Sequence, residues 1–215
     1  MRTVVKSDNP NRQHVTLSGA FDYFNRRLFG GELRTVLITL QRKARMRGYY
    51  WREKFGGRLD PERRVDEIAL NPATFEERSD TDILSTLVHE MVHLWQCPFG
   101  APSGGNYHNR QWSEKMESLG LMPSETGLPG GARTGRPMSH YVLEGGAFDE
   151  ACARLLAGGV RVEWNSRKGK ERGTNSKTKF TCPRCGCNAW GCPNLRLICG
   201  DCQQAMPCLP PAGKP

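Results

Sequence analysis

The chain has 215 residues, room for one domain of ordinary size and a small module. Its hydrophobic share is 37%, and no apolar run approaches the roughly 20 residues that cross a bilayer, which excludes a helical membrane bundle and any membrane partner that needs one. Lys and Arg number 31 against 22 Asp and Glu, a net charge of +9 that points to a polyanion such as nucleic acid but carries no information about fold. The first residues, MRTVVKSDNPNRQHV, lack the apolar stretch of an export signal, so the expected location is the cytoplasm, extending to the bacterial nucleoid.

In chain order, Leu17, Phe21, Phe24 and Leu28 recur at helical spacing, which predicts a helix over Thr16–Phe29 stopped by Gly30 and Gly31. Three strands follow: Thr35–Leu40, rich in β-branched residues, then Gly48–Trp51 and Val65–Leu70. Together they would make a small antiparallel sheet. A second helix begins near Ser79–Thr81, where Ser79 or Asp80 can cap the free N–H groups and Asp82 suits the positive end of the dipole. Its stripe of Ile83, Leu84, Leu87, Val88, Met91 and Leu94 would pack on the sheet, and Pro98 ends it. Phe99–Asn106 reads as a loop, and Asn109–Leu119 as a third helix. A Gly/Pro/Thr-rich loop over Glu125–Pro137 precedes a strand-like SHYVLE and a helix-like FDEACARLL. The polar, basic stretch Asn165–Lys179 reads as a linker.

The chemistry concentrates in His89-Glu90-Met91-Val92-His93. Histidines at i and i+4 project from one helix face and can reach a single zinc ion, while Glu90 stands where it can take a proton from an activated water. A third protein ligand is needed. His108, opening the next helix, is the choice over His14 and His140. Glu114 is the fallback, since zincins can use a carboxylate there. The early third histidine of metzincins is absent after His93, where the chain reads LWQCPFGAPS. Tyr107 and Tyr141 are the weak candidates for stabilising an oxyanion.

All cysteines except Cys97 and Cys152 fall between Cys182 and Cys208, the pattern of a metal-stapled module in a reducing compartment. Cys182-x-x-Cys185 and Cys199-x-x-Cys202, thirteen residues apart, make two knuckle pairs for one structural zinc in a four-cysteine zinc ribbon. Cys187 or Cys192 could replace Cys185 in another register. Arg42, Lys43, Arg45, Arg47, Arg52 and Lys54 surround Tyr49, Tyr50 and Trp51, which are expected to pack at least partly in the core. Arg167, Lys168, Lys170, Arg172, Lys177 and Lys179 form the better candidate for nucleic-acid contact, single-stranded DNA included. Trp95, Trp112 and Trp190 read as packing anchors.

Taken in order, LFGGEL, GYYW, DEIALNP, TLVHEMVHLWQ, YHNRQWSEKMESLG and FTCPRCGCNAWGCPNLRLICGDC resemble the SprT-like family of zinc-dependent proteases, the group that includes the Spartan DNA–protein crosslink proteases. The resemblance covers roughly Thr16 to Cys202. It implies an α+β, zincin-like minimal protease core, zinc on His89, His93 and His108, and Glu90 as the catalytic acid. Asn109 departs from the pattern, because many members carry glycine after the third histidine. The expected organisation is a protease domain over 1–160, a basic linker over 161–179, a ribbon over 180–208 and a tail over 209–215. The expected activity is cleavage of DNA-associated or DNA-crosslinked protein, with one catalytic and one structural zinc. The alternative is a non-catalytic, zinc-containing nucleic-acid-binding protein of transcription or DNA repair.

Overall fold

The computed structural model describes residues 12–104, 107–166 and 177–208, and the chain divides into two units, 1–167 and 168–215. In the first unit the order is α1 (Arg12–Leu28), β1 (Val36–Leu40), β2 (Gly48–Gly56), β3 (Arg64–Leu70), α2 (Asp80–Phe99), α3 (Arg110–Ser118), β4 (Leu121–Ser124), β5 (Ser139–Val142) and α4 (Ala147–Ala157). This is the expected α+β mixture. Among the described residues no helix is long and apolar enough to cross a membrane.

The three-stranded sheet is mixed, which corrects the antiparallel expectation. Its order is β1-β3-β2, with β3 parallel to β1 and antiparallel to β2. Burial explains the order. Asp66–Leu70 of β3 is buried throughout, so β3 takes the centre, whereas the Trp51–Lys54 segment of β2 is exposed and suits an edge. With β3 inserted between its two predecessors, β1 and β3 run the same way. A bulge between Trp51 and Phe55 bends the edge strand, and Glu53 adopts φ 51° there while its amide donates to Asp66 Oδ1 at 2.8 Å.

Helix α2 starts as its sequence demands. Ser79 Oγ accepts from the Asp82 amide at 3.1 Å, and the Asp82 carboxylate accepts from the Ser79 amide, a reciprocal capping box. Pro98 falls within the last turn, and the helix stops one residue later. Leu84, Leu87, Val88 and Met91 are fully buried with Leu17 and Phe24 of α1, Ile68 and Leu70 of β3 and Phe148 of α4. The Phe24 and Phe148 rings lie 5.6 Å apart. Beyond α4 the chain stays attached to this unit: Val162 N donates to Asp80 Oδ1, and Trp164 exchanges two hydrogen bonds with the Gln13 amide.

The second unit consists of two short hairpins, β6 (Thr178–Thr181) with β7 (Asn188–Gly191) and β8 (Leu197–Ile198) with β9 (Ala205–Met206). Its buried core is Phe180, Cys182, Cys199 and Met206. Trp190 is not a packing anchor, since it stands on the outward face of β7 opposite Lys179 and is 61% exposed. The alternation of β7 puts Ala189, not Trp190, against Phe180.

Candidate metal centre

Helix α2 presents His89 and His93 on one face, and His108, just ahead of α3, comes to meet them. One ring nitrogen from each of the three lies within 4.8 Å of the others. His93 Nε2 and His108 Nε2 are 3.1 Å apart, close to the roughly 3.3 Å edge of a tetrahedron built on Zn–N bonds of about 2.0 Å.

The return of His108 is fixed from two sides. Its backbone pairs with Gly135, N–H donating to O at 2.8 Å and O accepting from Gly135 N at 3.1 Å, while Nδ1 lies 3.0 Å from the same Gly135 carbonyl. A carbonyl only accepts, so Nδ1 carries the hydrogen and Nε2 keeps its lone pair for an ion. On the other side Asn109 caps α3, its Oδ1 accepting from Trp112 N at 3.0 Å and from Gln96 Nε2 of α2 at 2.7 Å. Its Nδ2 donates to Ala101 O at 2.8 Å. The residue that departs from the family pattern therefore tethers the third histidine to the helix of the first two. Glu114, the fallback ligand, is exposed and paired with Arg110 at 2.7 Å; His14 is exposed on α1.

Trp112 closes one side. Its indole is fully buried, with ring centroids 4.8, 5.5 and 4.3 Å from His89, His93 and His108. It is the packing anchor expected, and what it packs is the site. Burial, more than the neighbouring rings, pushes the histidines towards their neutral form: His93 falls to about 3, and His89 and His108 are also lowered. Neutral imidazole is the form that binds zinc. Three such rings in a largely buried, aromatic-walled site fit that ion.

The Glu90 carboxyl is buried against the edge strand. A Cβ at Gly48 would lie 3.1 Å from Glu90 Oε1 and 3.0 Å from Ala69 O, so the absence of a side chain at Gly48 makes room for it. Burial raises this carboxyl to about 8, partly opposed by the Tyr50 amide that donates to it. A cation on the adjacent imidazoles would pull that value down. Sequence alone does not single out Gly48, because a strand glycine carries no chemistry of its own.

His140, set aside as a ligand in favour of His108, nonetheless reaches the site. It lies on β5 with Nδ1 3.2 Å from His89 Nδ1 and Nε2 2.9 Å from Ser85 Oγ. Beside it opens a cavity of about 680 Å³ whose walls include Arg47, Arg78, Asp82, Ser139 and Tyr141. Tyr107 is 44% exposed.

In the second unit, Cys182, Cys185, Cys187 and Cys199 offer sulfurs all within 4.8 Å of one another. This compact quartet contains Cys187 where the spacing placed Cys202. The cause is local: Cys182 N donates to Cys187 O at 2.9 Å, closing the turn and bringing Cys187 Sγ to 3.6 Å from Cys199 Sγ. Cys202 stays beside the cluster, close enough for its thiol to interact with those of Cys185, Cys199 and Cys182. Both knuckles turn through left-handed residues, Gly186 at φ 73° and Gln203 at φ 52°. The backbone amide of Cys187 leads the interactions that lower Cys185 to about 6. Cys192 and Cys208 are exposed, Cys97 is half-buried beside Tyr50, and Cys152 is buried in the first unit's core.

Of the residues proposed for nucleic acid, Lys177 and Lys179 are exposed, whereas Arg167, Lys168, Lys170 and Arg172 lie outside the described residues. The aromatic cluster of β2 is partly in the core, as expected of a strand: Tyr50 packs against it while Trp51 turns outward. Trp51 is 49% exposed, with Lys54 Nζ 3.8 Å and Lys43 Nζ 6.0 Å from its ring, and Lys43 Nζ is 4.6 Å from Tyr49.

A mixed sheet crossed by a helix with two histidines, met by a third from the following loop, defines a protein with a three-histidine site able to hold a metal. The SprT-like family model matches residues 17–130, more than half of the chain, and the chain belongs to that family. It is 48% identical over 52 residues to an uncharacterized protein in the mucB 3' region of Salmonella typhimurium, across 24% of this chain and 69% of that protein. No solved structure gives a significant match.

Proposed function

We propose that the protein is a zinc-dependent endopeptidase of the SprT-like type. The observation that carries this reading is the convergence of His89, His93 and His108 on one point with the Glu90 carboxyl buried on the same helix. Zinc on these three imidazoles would supply a Lewis acid that polarises a carbonyl and acidifies water. The chain's own contribution is to hold the rings neutral, exclude bulk water with Trp112, and place a carboxylate beside the site. Glu90 accepts the proton of the attacking water and returns it to the leaving amine nitrogen. The Tyr50 amide and the space left by Gly48 keep that carboxylate against the edge strand.

The favoured substrate is protein bound or crosslinked to DNA. Exposed Trp190 opposite Lys179 on β7 and β6, and Trp51 flanked by Lys43 and Lys54, are aromatic–cation pairs of the kind that stack on unpaired bases and neutralise phosphates. The net charge of +9 supports the same partner. The cysteine cluster would hold a second, structural zinc, because four thiolates leave no open position for substrate.

The test is cleavage of histone or casein with and without single-stranded DNA, by wild type and Glu90→Gln. Wild type should cut faster with DNA, and Glu90→Gln should lose at least about a hundredfold in rate, the usual contribution of a general base, with its zinc content unchanged. Equal activity in the variant overturns the mechanism. Activity indifferent to DNA overturns the substrate class. DNA binding without cleavage under any condition identifies a non-catalytic nucleic-acid-binding protein instead.

A further inference from the structure

We infer that His140 is a positioning residue for the histidine metal site, accepting the Nδ1–H of His89 so that His89 turns its Nε2 lone pair to the ion. This rests on the three-histidine reading above and adds a residue to it.

The direction of each hydrogen bond can be followed from a fixed end. Ser85 Oγ lies 2.9 Å from the Asp82 carbonyl, one turn back on α2, and donates to it because a carbonyl only accepts. The Ser85 hydrogen being committed, Ser85 Oγ accepts from its other neighbour, His140 Nε2, at 2.9 Å. His140 is thereby the Nε2–H tautomer, and its Nδ1 is bare. That bare nitrogen faces His89 Nδ1 at 3.2 Å, so His89 donates. A neutral His89 with its hydrogen on Nδ1 has its lone pair on Nε2. The Asp82 carbonyl that ends this chain also accepts from Thr86 Oγ1 at 3.2 Å and from the Arg78 guanidinium.

Two N–H groups would repel across the 3.2 Å between the Nδ1 atoms of His89 and His140, so one of the two is bare. His108 shows the same device with a different acceptor, its Nδ1–H given to Gly135 O so that Nε2 faces inward. Partners of this kind fix the tautomer and ring orientation of metal-binding histidines and raise their basicity. The fold brings the parts together from a distance. Ser85 and His89 share a face of α2 at i, i+4, and His140 arrives on β5, whose register with β4 sets it opposite Pro123. Because its two nitrogens are taken by His89 and Ser85, His140 stands behind the ligand and not among the three.

The experiment uses the full chain with zinc and cobalt(II). His-site occupancy is read as the ion that His93→Ala loses; if His93→Ala loses none, the three-histidine reading itself fails, a result separate from those below. His140→Phe keeps a ring of similar volume without an acceptor, and His140→Asn restores an acceptor near the position of Nδ1. Zinc affinity at the site, measured by chelator competition, should fall roughly tenfold to a hundredfold in His140→Phe and recover to within a few-fold of wild type in His140→Asn. The visible spectrum of the saturated cobalt form should keep its wild-type intensity in both, since all three ligands remain. Nitrogen-15 NMR of the zinc form should show His89 protonated at Nδ1 in wild type. Unchanged affinity in His140→Phe, or His89 protonated at Nε2, overturns the inference. A cobalt spectrum altered in both variants, with no recovery in His140→Asn, makes His140 a ligand and overturns it as well.

Discussion

The two metal-competent clusters are assembled in opposite ways. The histidine cluster is gathered from α2 and the loop before α3, with β5 behind it, inside a unit with a large apolar core of its own. The cysteine cluster comes from two tight turns in a unit whose buried core is four residues, two of them the cysteines themselves. On the proposed function the first would serve chemistry and the second would hold its unit together. Donor number separates them too: three imidazoles leave a tetrahedral position open, whereas five thiols crowd around four seats.

The largest expected effect bears directly on that contrast. Cys182→Ser combined with Cys199→Ser should unfold residues 177–208, seen as collapse of their amide dispersion in NMR spectra, because three thiols remain for four seats and a segment with so small a core takes its folding energy from metal. His93→Ala should leave the first unit folded, its thermal midpoint within a few degrees of wild type on the scale of roughly 2–4 °C per kcal/mol. Equal damage in the two variants would erase the distinction.

Next in size is the pH response of the metal-free first unit. His93 at about 3 and His140 at about 4, with His89 and His108 also lowered, take up protons in the unfolded chain at about 6.5 but not in the folded one. Their contribution is present above about 6.5 and is lost as pH falls below it. Glu90, raised to about 8, has the opposite sign: the folded state holds its proton between about 4.5 and 8, so its contribution fades as pH rises through that range. Thermal midpoints of the metal-free protein should therefore peak near pH 6.5 to 7 and drop steeply towards pH 5. Zinc should flatten the acid limb until it is displaced. A midpoint that rises on acidification would contradict the burial of these rings.

Gly48→Ala tests the edge strand. The new methyl would meet Ala69 O and Thr86 Cγ2 at 3.0 Å and Glu90 Oε1 at 3.1 Å, and the carbonyl cannot swing away. Cleavage should drop about tenfold, as for a modest displacement of a catalytic group, with zinc content unchanged. Smallest of all, Cys187→Ser and Cys202→Ser should each retain the second zinc, because either thiol can take the seat the other vacates. Loss of that ion in one of them alone would name the fourth ligand.

Much of the fold is legible in the sequence because apolar spacing and capping chemistry are local. The stripe from Ile83 to Leu94 and the Ser79–Asp82 box announce α2, and the i, i+4 histidines follow from it. Neighbour relations are less accessible. The residues of β1, β2 and β3 read as strands, but only the burial of Asp66–Leu70 decides that β3 lies between the others. β4 leaves no signal because Leu121–Ser124 is four residues with a proline. At the site, His108 can be anticipated as a histidine opening a helix, whereas His140, 51 residues from the ring it touches, belongs to no motif. Trp190 misleads for a related reason: in a two-stranded hairpin with a four-residue core, half the strand faces solvent whatever its residues.

We propose that the chain carries two zinc sites of unlike kind, one of them on three histidines. Zinc stoichiometry of the purified full chain, wild type against His108→Ala, tests it most directly. Two ions per chain should be found in wild type and one in the variant, with the ribbon's amide spectrum unchanged. A wild type holding one ion, kept in full by His108→Ala, would contradict it.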